Sequence, residues 1–207
     1  MNTAGMTVDD EKKTKSSSRR EINREKIYLA AMQLFAQRGF TETTMQDIAV
    51  EAGLARASVF NHFPEKAALL GEFFHRFNHT VIEAARAAKV KGCQARLEAM
   101  FAAIGPIANA NAAAFKNFAF LAASDGPLAE IEKEADDEML DFFLDILREG
   151  QDDGEIAVQH DPRFTAKMML GLLTITALDW VNSGQKSSLQ VDLSDRFQLL
   201  FQGIGNK

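Results

Sequence analysis

Cysteine is nearly absent from this 207-residue chain. Cys93 is the only one, so an intramolecular disulfide is excluded, and a reducing compartment is the expected setting. Long apolar runs are also missing. The longest, MMLGLLTITAL at 168–178, is about half of what a membrane-spanning helix needs. The opening MNTAGMTVDDEKKTKSSSRR holds no apolar core segment and does not read as a secretory signal. The cytoplasm is the expected location, with no membrane partner. There is no G-x-S-x-G, no H-E-x-x-H and no Gly-rich phosphate loop. Four scattered histidines and one cysteine are thin material for a nucleophile, a base and an orienting group. The chain therefore reads as a protein other than an enzyme, with no cofactor. Period-two alternation is confined to a doubtful EIAV at 155–158, and no internal repeat is evident.

What is present is helix pattern. Apolar residues make up 46% and charged residues 25%, as in ordinary globular proteins. The net charge of -6 is unevenly spread: residues 1–70 carry about +1 and residues 71–207 about -7. An anionic partner is tolerated at the front and repelled at the back. Residues 1–18 are polar and lack a periodic face, which predicts a disordered tail. From Arg20 the pattern turns helical, and Ile27, Ala30, Ala31, Leu34 and Phe35 form one apolar stripe ended by Gly39. Thr44, with Asp47 three residues later, is close to a capping box. Met45, Ile48, Ala49 and Ala52 face one way up to Gly53, and a second short helix is predicted over about 56–62, ended by Pro64.

Beyond Pro64 the helices become long and apolar. The pattern predicts them at about 65–88, 93–108, 112–122, 128–150, 162–182 and 193–204, with breakers that include Gly105-Pro106 and Gly126-Pro127. Asp161-Pro162 has the form of an N-cap followed by proline at the first helical position. The expected class is all-α: a tail over 1–18, a domain of short helices over 19–64 and a domain of long helices over 65–207.

Two short helices joined by a tight glycine turn form the helix-turn-helix DNA-binding unit, whose geometry makes demands that a sequence must meet. Counted from Met45, the fifth residue must be small where the helices cross, and it is Ala49. The ninth starts a turn that favours a left-handed backbone, and it is Gly53. The fourth, eighth, tenth and fifteenth must be apolar, and they are Ile48, Ala52, Leu54 and Val59. Six constraints met together, behind a supporting helix, make a specific signal.

From Arg24 to Leu70, the runs AAMQLFAQRGF and TTMQDIAVEAGLARASVFNHFPEKAALL resemble the N-terminal domain of TetR-type transcriptional repressors. The resemblance covers about 50 residues of the chain. It implies a homodimer that binds palindromic double-stranded operator DNA and releases it when a small molecule enters the C-terminal domain. It places Thr43 and Thr44 at the opening of the second helix, against phosphate. Ala55, Arg56, Ala57 and Ser58 fall at the start of the recognition helix, and Asn61 on its exposed face. Phe60 and His62 occupy aromatic positions used against the DNA backbone, and Lys66 matches a phosphate-contacting lysine. Two positions depart from the pattern: Phe60 stands where tyrosine is frequent, and Ala55 where serine or threonine is frequent. Arg56 can compensate through a base edge, a contact worth ~1–3 kcal/mol of discrimination.

Twelve of the sixteen phenylalanines follow residue 70. Core packing accounts for most, but Phe and Met also line adaptable apolar pockets. The expected wall of an apolar effector site is Phe77, Met100, Ile104, Phe118, Leu121, Phe142 and Met169, with Asn111 and Asn117 as polar contacts. A dimer is expected through 162–182, by Phe164, Met168, Gly171, Leu172 and Ile175, and through 193–204, by Leu193, Phe197, Leu200, Phe201 and Ile204. Internal packing of the same faces is the alternative. His75 and His79 have metal-ligand spacing, yet no third ligand is visible, so no metal is expected. Cys93 follows Gly92 at a helix start, where a thiolate gains stability, but it has no resolving partner. The rivals are an enzyme on a helical bundle, which lacks its motifs, and a protein-binding adaptor, which has no use for the Thr44 and Lys66 set.

Overall fold

The computed structural model describes residues 8–116 and 128–204. Among them, α1 spans Val8–Arg38, α2 Met45–Glu51, α3 Arg56–His62, α4 Ala67–Ala87 and α5 Cys93–Ala110. A short helical stretch follows at 112–116. Then come α6 at Leu128–Asp152, α7 at Pro162–Asn182 and α8 at Leu189–Ile204. The chain divides into two compact units, Met1–Leu69 and Leu70–Lys207. The first turn of α4 thus belongs to the first unit, five residues past the predicted boundary.

In the first unit, α1 buries the predicted stripe from Ile27 to Phe35. Gly39 stops it with φ +85, its N–H donating to the Phe35 carbonyl at 3.0 Å. The expected tail is corrected in part, because α1 already begins at Val8. A helix nucleated on the Ile27–Phe35 stripe extends backward at low cost, since propagation fixes one residue at a time. Residues 1–7 lie outside the described part.

In the second unit, α7 packs on α6 and α8, and α5 packs on α8 and α6. Phe101, Phe143 and Phe197 meet at the centre, with the rings of Phe101 and Phe197 4.9 Å apart. A second aromatic group joins Phe74, Phe77, Phe115 and Trp180, mostly edge to face, with 5.2 Å between Phe77 and Phe115. The predicted break at Gly105-Pro106 does not occur, because Pro106 lies inside α5. A proline there removes one hydrogen bond and costs ~3 kcal/mol in an isolated helix. Burial of Phe101, Ile104 and Ala108 on either side offsets it. EIAV at 155–158 forms no strand beyond a single bridge residue at Ile156; Ile156 and Ala157 are buried, and the Ala157 N–H donates to the Ile204 carbonyl.

Asp161 caps α7 as expected, its carboxylate accepting from the N–H groups of Arg163 and Phe164. The 168–178 run sits inside a helix of 21 residues, which by length and composition alone could cross a membrane, at a mean hydropathy of 1.3. Two of the proposed dimer faces turn out differently. On α7, Phe164, Met168 and Ile175 are exposed large apolar residues. On α8, Leu193, Phe197 and Ile204 are buried in the core, and Leu199 and Val191 are exposed instead. Internal packing accounts for those three, while Leu200 and Phe201 on the same helix are half-buried.

Cys93 begins α5, yet the electrostatics there disfavour a thiolate. The Glu155 carboxylate accepts the Cys93 N–H at 2.7 Å and so occupies the helix start with negative charge. The thiol donates to the Ile146 carbonyl at 2.9 Å. Burial first, then Glu155, pushes the Cys93 thiol up to about 12. Gly150 is required beside it, since a Cβ there would stand 2.4 Å from the Cys93 sulfur. The thiolate is the reactive form. The native protein at pH 8 is therefore expected to react with iodoacetamide at Cys93 at least about a hundredfold more slowly than the urea-unfolded chain, measured by mass spectrometry. Equal rates would show that the site opens freely.

Candidate nucleic-acid interface and effector cavity

The helix-turn-helix is built by a few buried contacts. Ile48, Ala49 and Val59 are each at most 1% exposed, so α2 and α3 cross in direct contact. Gly53 turns the chain at φ +66, and the Leu54 N–H donates back to the Ala49 carbonyl at 3.0 Å. Ala52 and Leu54 are half-buried at the edge of the crossing. With Val59 inward, the helical period turns Arg56, Ala57 and Asn61 fully to solvent, and Ser58, Phe60 and His62 partly so. Ala55 precedes α3 in extended conformation and supplies no side-chain cap, as its residue type requires.

Phe60 has a role that needs no hydroxyl. The Arg56 guanidinium lies over its ring, 5.3 Å from the centroid, so the aromatic face is a platform for the arginine. At the other end of α3, Arg24 from α1 lies 4.3 Å over the Phe63 ring and donates to the His62 carbonyl at 3.2 Å. Burial, then the positive charges of Arg20 and Arg24, holds the His62 imidazole below its ordinary value. Arg20 and Arg24 thus add positive charge beside the recognition helix. Sequence reading passed over both; the available signal was Arg24 three residues before Ile27, one turn along the same face of α1.

The two threonines separate. Thr44 is exposed and completes a capping box: its hydroxyl accepts from the Asp47 N–H at 3.1 Å, while Asp47 accepts from the Thr44 N–H at 2.9 Å. Thr43 is fully buried, and its hydroxyl donates to the Gly39 carbonyl at 2.8 Å. That corrects its expected place against phosphate, because the side chain reaches no solvent. Lys66, half-buried, turns to the same loop. Its ammonium donates to the carbonyls of Phe40, Thr41 and Thr43, at 2.7 Å for Thr43, and lies 4.3 Å over the Phe40 ring. Burial lowers its pKa, and Glu42 opposes the shift.

The second unit holds a partly open cavity of about 100 Å³. Of the expected wall, Phe77 and Ile104 line it. Met100, Phe142 and Met169 are buried elsewhere in the core, and Asn111 caps the end of α5 by donating to the Ile107 carbonyl. Phe118, Leu121 and Asn117 lie outside the described residues. The wall that sequence reading missed comes from Phe74, Phe115, Met139 and one stripe of α7, Leu170, Leu173, Ala177 and Val181. That stripe has helical spacing and lies beside the equally apolar stripe of Phe164, Met168 and Ile175. Asn78, Thr174 and Asp136 are the polar side chains of the lining. His75 faces Glu138 at 3.5 Å, and among the described residues no group of three His, Cys, Asp or Glu could hold a metal ion.

The capping box carries a pH signature. The Thr44 hydroxyl, then the Thr44 N–H and the Arg38 charge, holds the Asp47 carboxyl below the usual range. A depressed carboxyl adds stability that is complete above its unfolded value of ~3.9 and drains as pH falls through the folded one. Thr44→Ala is expected to lower the urea midpoint at pH 7, and the gap from the natural protein to narrow below pH ~4. A gap that stays constant down to pH 3 would remove Asp47 from this account.

Comparison with known proteins agrees with this geometry. Residues 27–73 match the family model of bacterial regulatory proteins of the tetR family. The fatty acid metabolism regulator protein of Bacillus subtilis (strain 168) is 26% identical over 191 residues, 86% of this chain and 93% of that one. FadR of Thermus thermophilus, a TetR family transcriptional repressor solved with lauroyl-CoA, matches with a TM-score of 0.73 at 24% identity, over 87% of this chain and 94% of that one. FadR of Bacillus subtilis, solved with stearoyl-CoA, matches with a TM-score of 0.73 at 23% identity, over 87% and 98%. At such identities the two structures establish the all-α fold. The matched segment spans the end of α1, the helix-turn-helix and the start of α4, and over it the chain is similar to bacterial regulatory proteins of the tetR family.

Proposed function

We propose that this protein is a cytoplasmic transcriptional repressor that holds palindromic operator DNA as a homodimer and releases it when an apolar small molecule enters the cavity of the second unit. The outward set Arg56, Ala57, Ser58 and Asn61 over a fully buried Val59 is the observation that carries DNA binding. Two recognition helices, ~34–36 Å apart in a dimer, would enter successive major grooves. The exposed Phe164, Met168 and Ile175 favour a second copy as the cover of α7. Apolar lining favours an apolar effector, and the fatty-acyl ligands named for the relatives favour an acyl chain. Asp136 is the one charged side chain among the described lining residues, so the cavity suits the chain better than a phosphate-bearing head. A ligand wedged against Phe74 and Phe77 would bear on α4, whose first turn belongs to the DNA-binding unit. Operator affinity would then fall because both half-sites no longer dock together.

Two measurements test this reading. Operator duplex is first selected from random-sequence DNA by the natural protein. Arg56→Ala combined with Asn61→Ala should weaken its binding at least tenfold, in line with ~1–3 kcal/mol per base contact, while light scattering still gives a dimer mass. Binding at the natural strength would remove α3 as the reading element. Acyl-CoA of 12 to 18 carbons should raise the melting temperature and release the duplex, and Ala177→Phe, which fills the cavity, should blunt the release. If acyl-CoA and free fatty acids leave both melting and DNA binding unmoved, the acyl assignment falls.

A further inference from the structure

Lys66 sits where a phosphate contact is expected, yet its ammonium is already spent. An ammonium has three N–H donors and no more. Here the carbonyls of Phe40, Thr41 and Thr43 converge on it. The Phe40 ring closes one side at 4.3 Å and is itself held against Phe35, with centroids 5.1 Å apart. The loop that supplies these carbonyls is tightened from within. Thr43 donates its hydroxyl to the Gly39 carbonyl and its N–H to the Phe40 carbonyl. The next residue, Thr44, is the cap of α2. At the other end, the Lys66 carbonyl accepts the Leu69 N–H and so opens α4. One side chain thus ties the entry of α2 to the entry of α4, and no donor remains for DNA.

We propose that Lys66 is a positioning residue: by holding the 40–43 carbonyls it fixes where α2 starts, and through the α2–α3 crossing it fixes the aim of the recognition helix. Its contribution to operator binding is alignment, not charge neutralisation. This rests on the DNA-binding reading above, and the two are separable by experiment.

The decisive observable is the salt dependence of binding. A lost phosphate contact lowers the slope of log affinity against log salt by ~0.9. Lost alignment weakens binding at every salt concentration and leaves the slope alone. Binding of the selected operator duplex, followed by fluorescence anisotropy from 50 to 200 mM KCl, should give for Lys66→Met a line parallel to that of the natural protein and at least about fivefold weaker. A shallower slope would restore Lys66 to the phosphate contacts and overturn the proposal. A coincident line with only a lower melting temperature would reduce it to general stability and overturn it equally. Thr43→Val keeps shape and charge but removes the Gly39 bond; it should shift the line in parallel too, and it carries the test if Lys66→Met fails to fold. Hydrogen exchange gives an answer that needs no DNA. The Thr43 amide should exchange at least tenfold faster in Lys66→Met, with α3 amides less affected. Unchanged Thr43 exchange would overturn the latch, whereas a natural protein that retards no duplex would overturn the DNA-binding reading alone.

Discussion

The close crossing of α2 and α3 at Ala49 is the constraint on which the first unit depends. Ala49 is 1% exposed, and the Leu54 N–H returns to its carbonyl. A larger side chain at this place would push the helices apart, since a packed interior tolerates extra methylenes poorly. Once the backbones touch here, Val59 must point inward, and the phase of α3 is set. Arg56, Ala57 and Asn61 face outward because no other phase buries Val59. The chemistry offered to a partner is thus a by-product of steric closure one turn away.

A comparable logic divides α7 into three faces. Thr165, Ala166, Met169, Thr176 and Trp180 are buried in the core. Leu170, Leu173, Ala177 and Val181 line the cavity. Phe164, Met168 and Ile175 face out. A helix apolar on all sides is ordinarily enclosed or membrane-spanning, and α7 does pass a length and composition test for spanning. Two of these faces have distinct neighbours, the core and the cavity, and each accounts for its own share of the hydropathy. A second copy on the third face, as proposed above, would cover the exposed residues.

These observations show why some features were legible in the sequence. The helix-turn-helix was, because its constraints act within twenty residues: a small residue at a crossing, a glycine at positive φ, a cap three residues before its partner. Helix ends marked by Gly39, Gly53, Asp161 and Pro64 were legible for the same reason. What failed depended on distant neighbours. Pro106 stays helical because of the core around it. The phase of α8 follows from Phe101 and Phe143, far away in sequence. Met169 and Leu170 differ by one residue, yet one is core and the other cavity, a distinction of about 100° that composition does not express. Resemblance carries residue types and positions but not the hydrogen bonds that each side chain makes. Thr43 and Lys66 match by type and position, but their donors are used inside the loop.

That loop also bears on how an effector in one unit could matter to the other. α4 runs through the boundary at Leu69–Leu70, and Phe74 and Phe77 on it line the cavity. Coupling between sites requires an element whose arrangement both ligands bias. A continuous helix transmits displacement, but displacement of α4 alone would leave α2 and α3 unmoved if their entry were free to flex. The Lys66 ammonium, joined to three carbonyls of the 40–43 segment, removes much of that freedom. A shift of the first turn of α4 would then be carried to the cap of α2 through short, directional bonds, and from there to α3 through the Ala49 crossing. Two rigid joints in series, one polar and one steric, are what a small change in the second unit would need in order to be felt at Arg56 and Asn61.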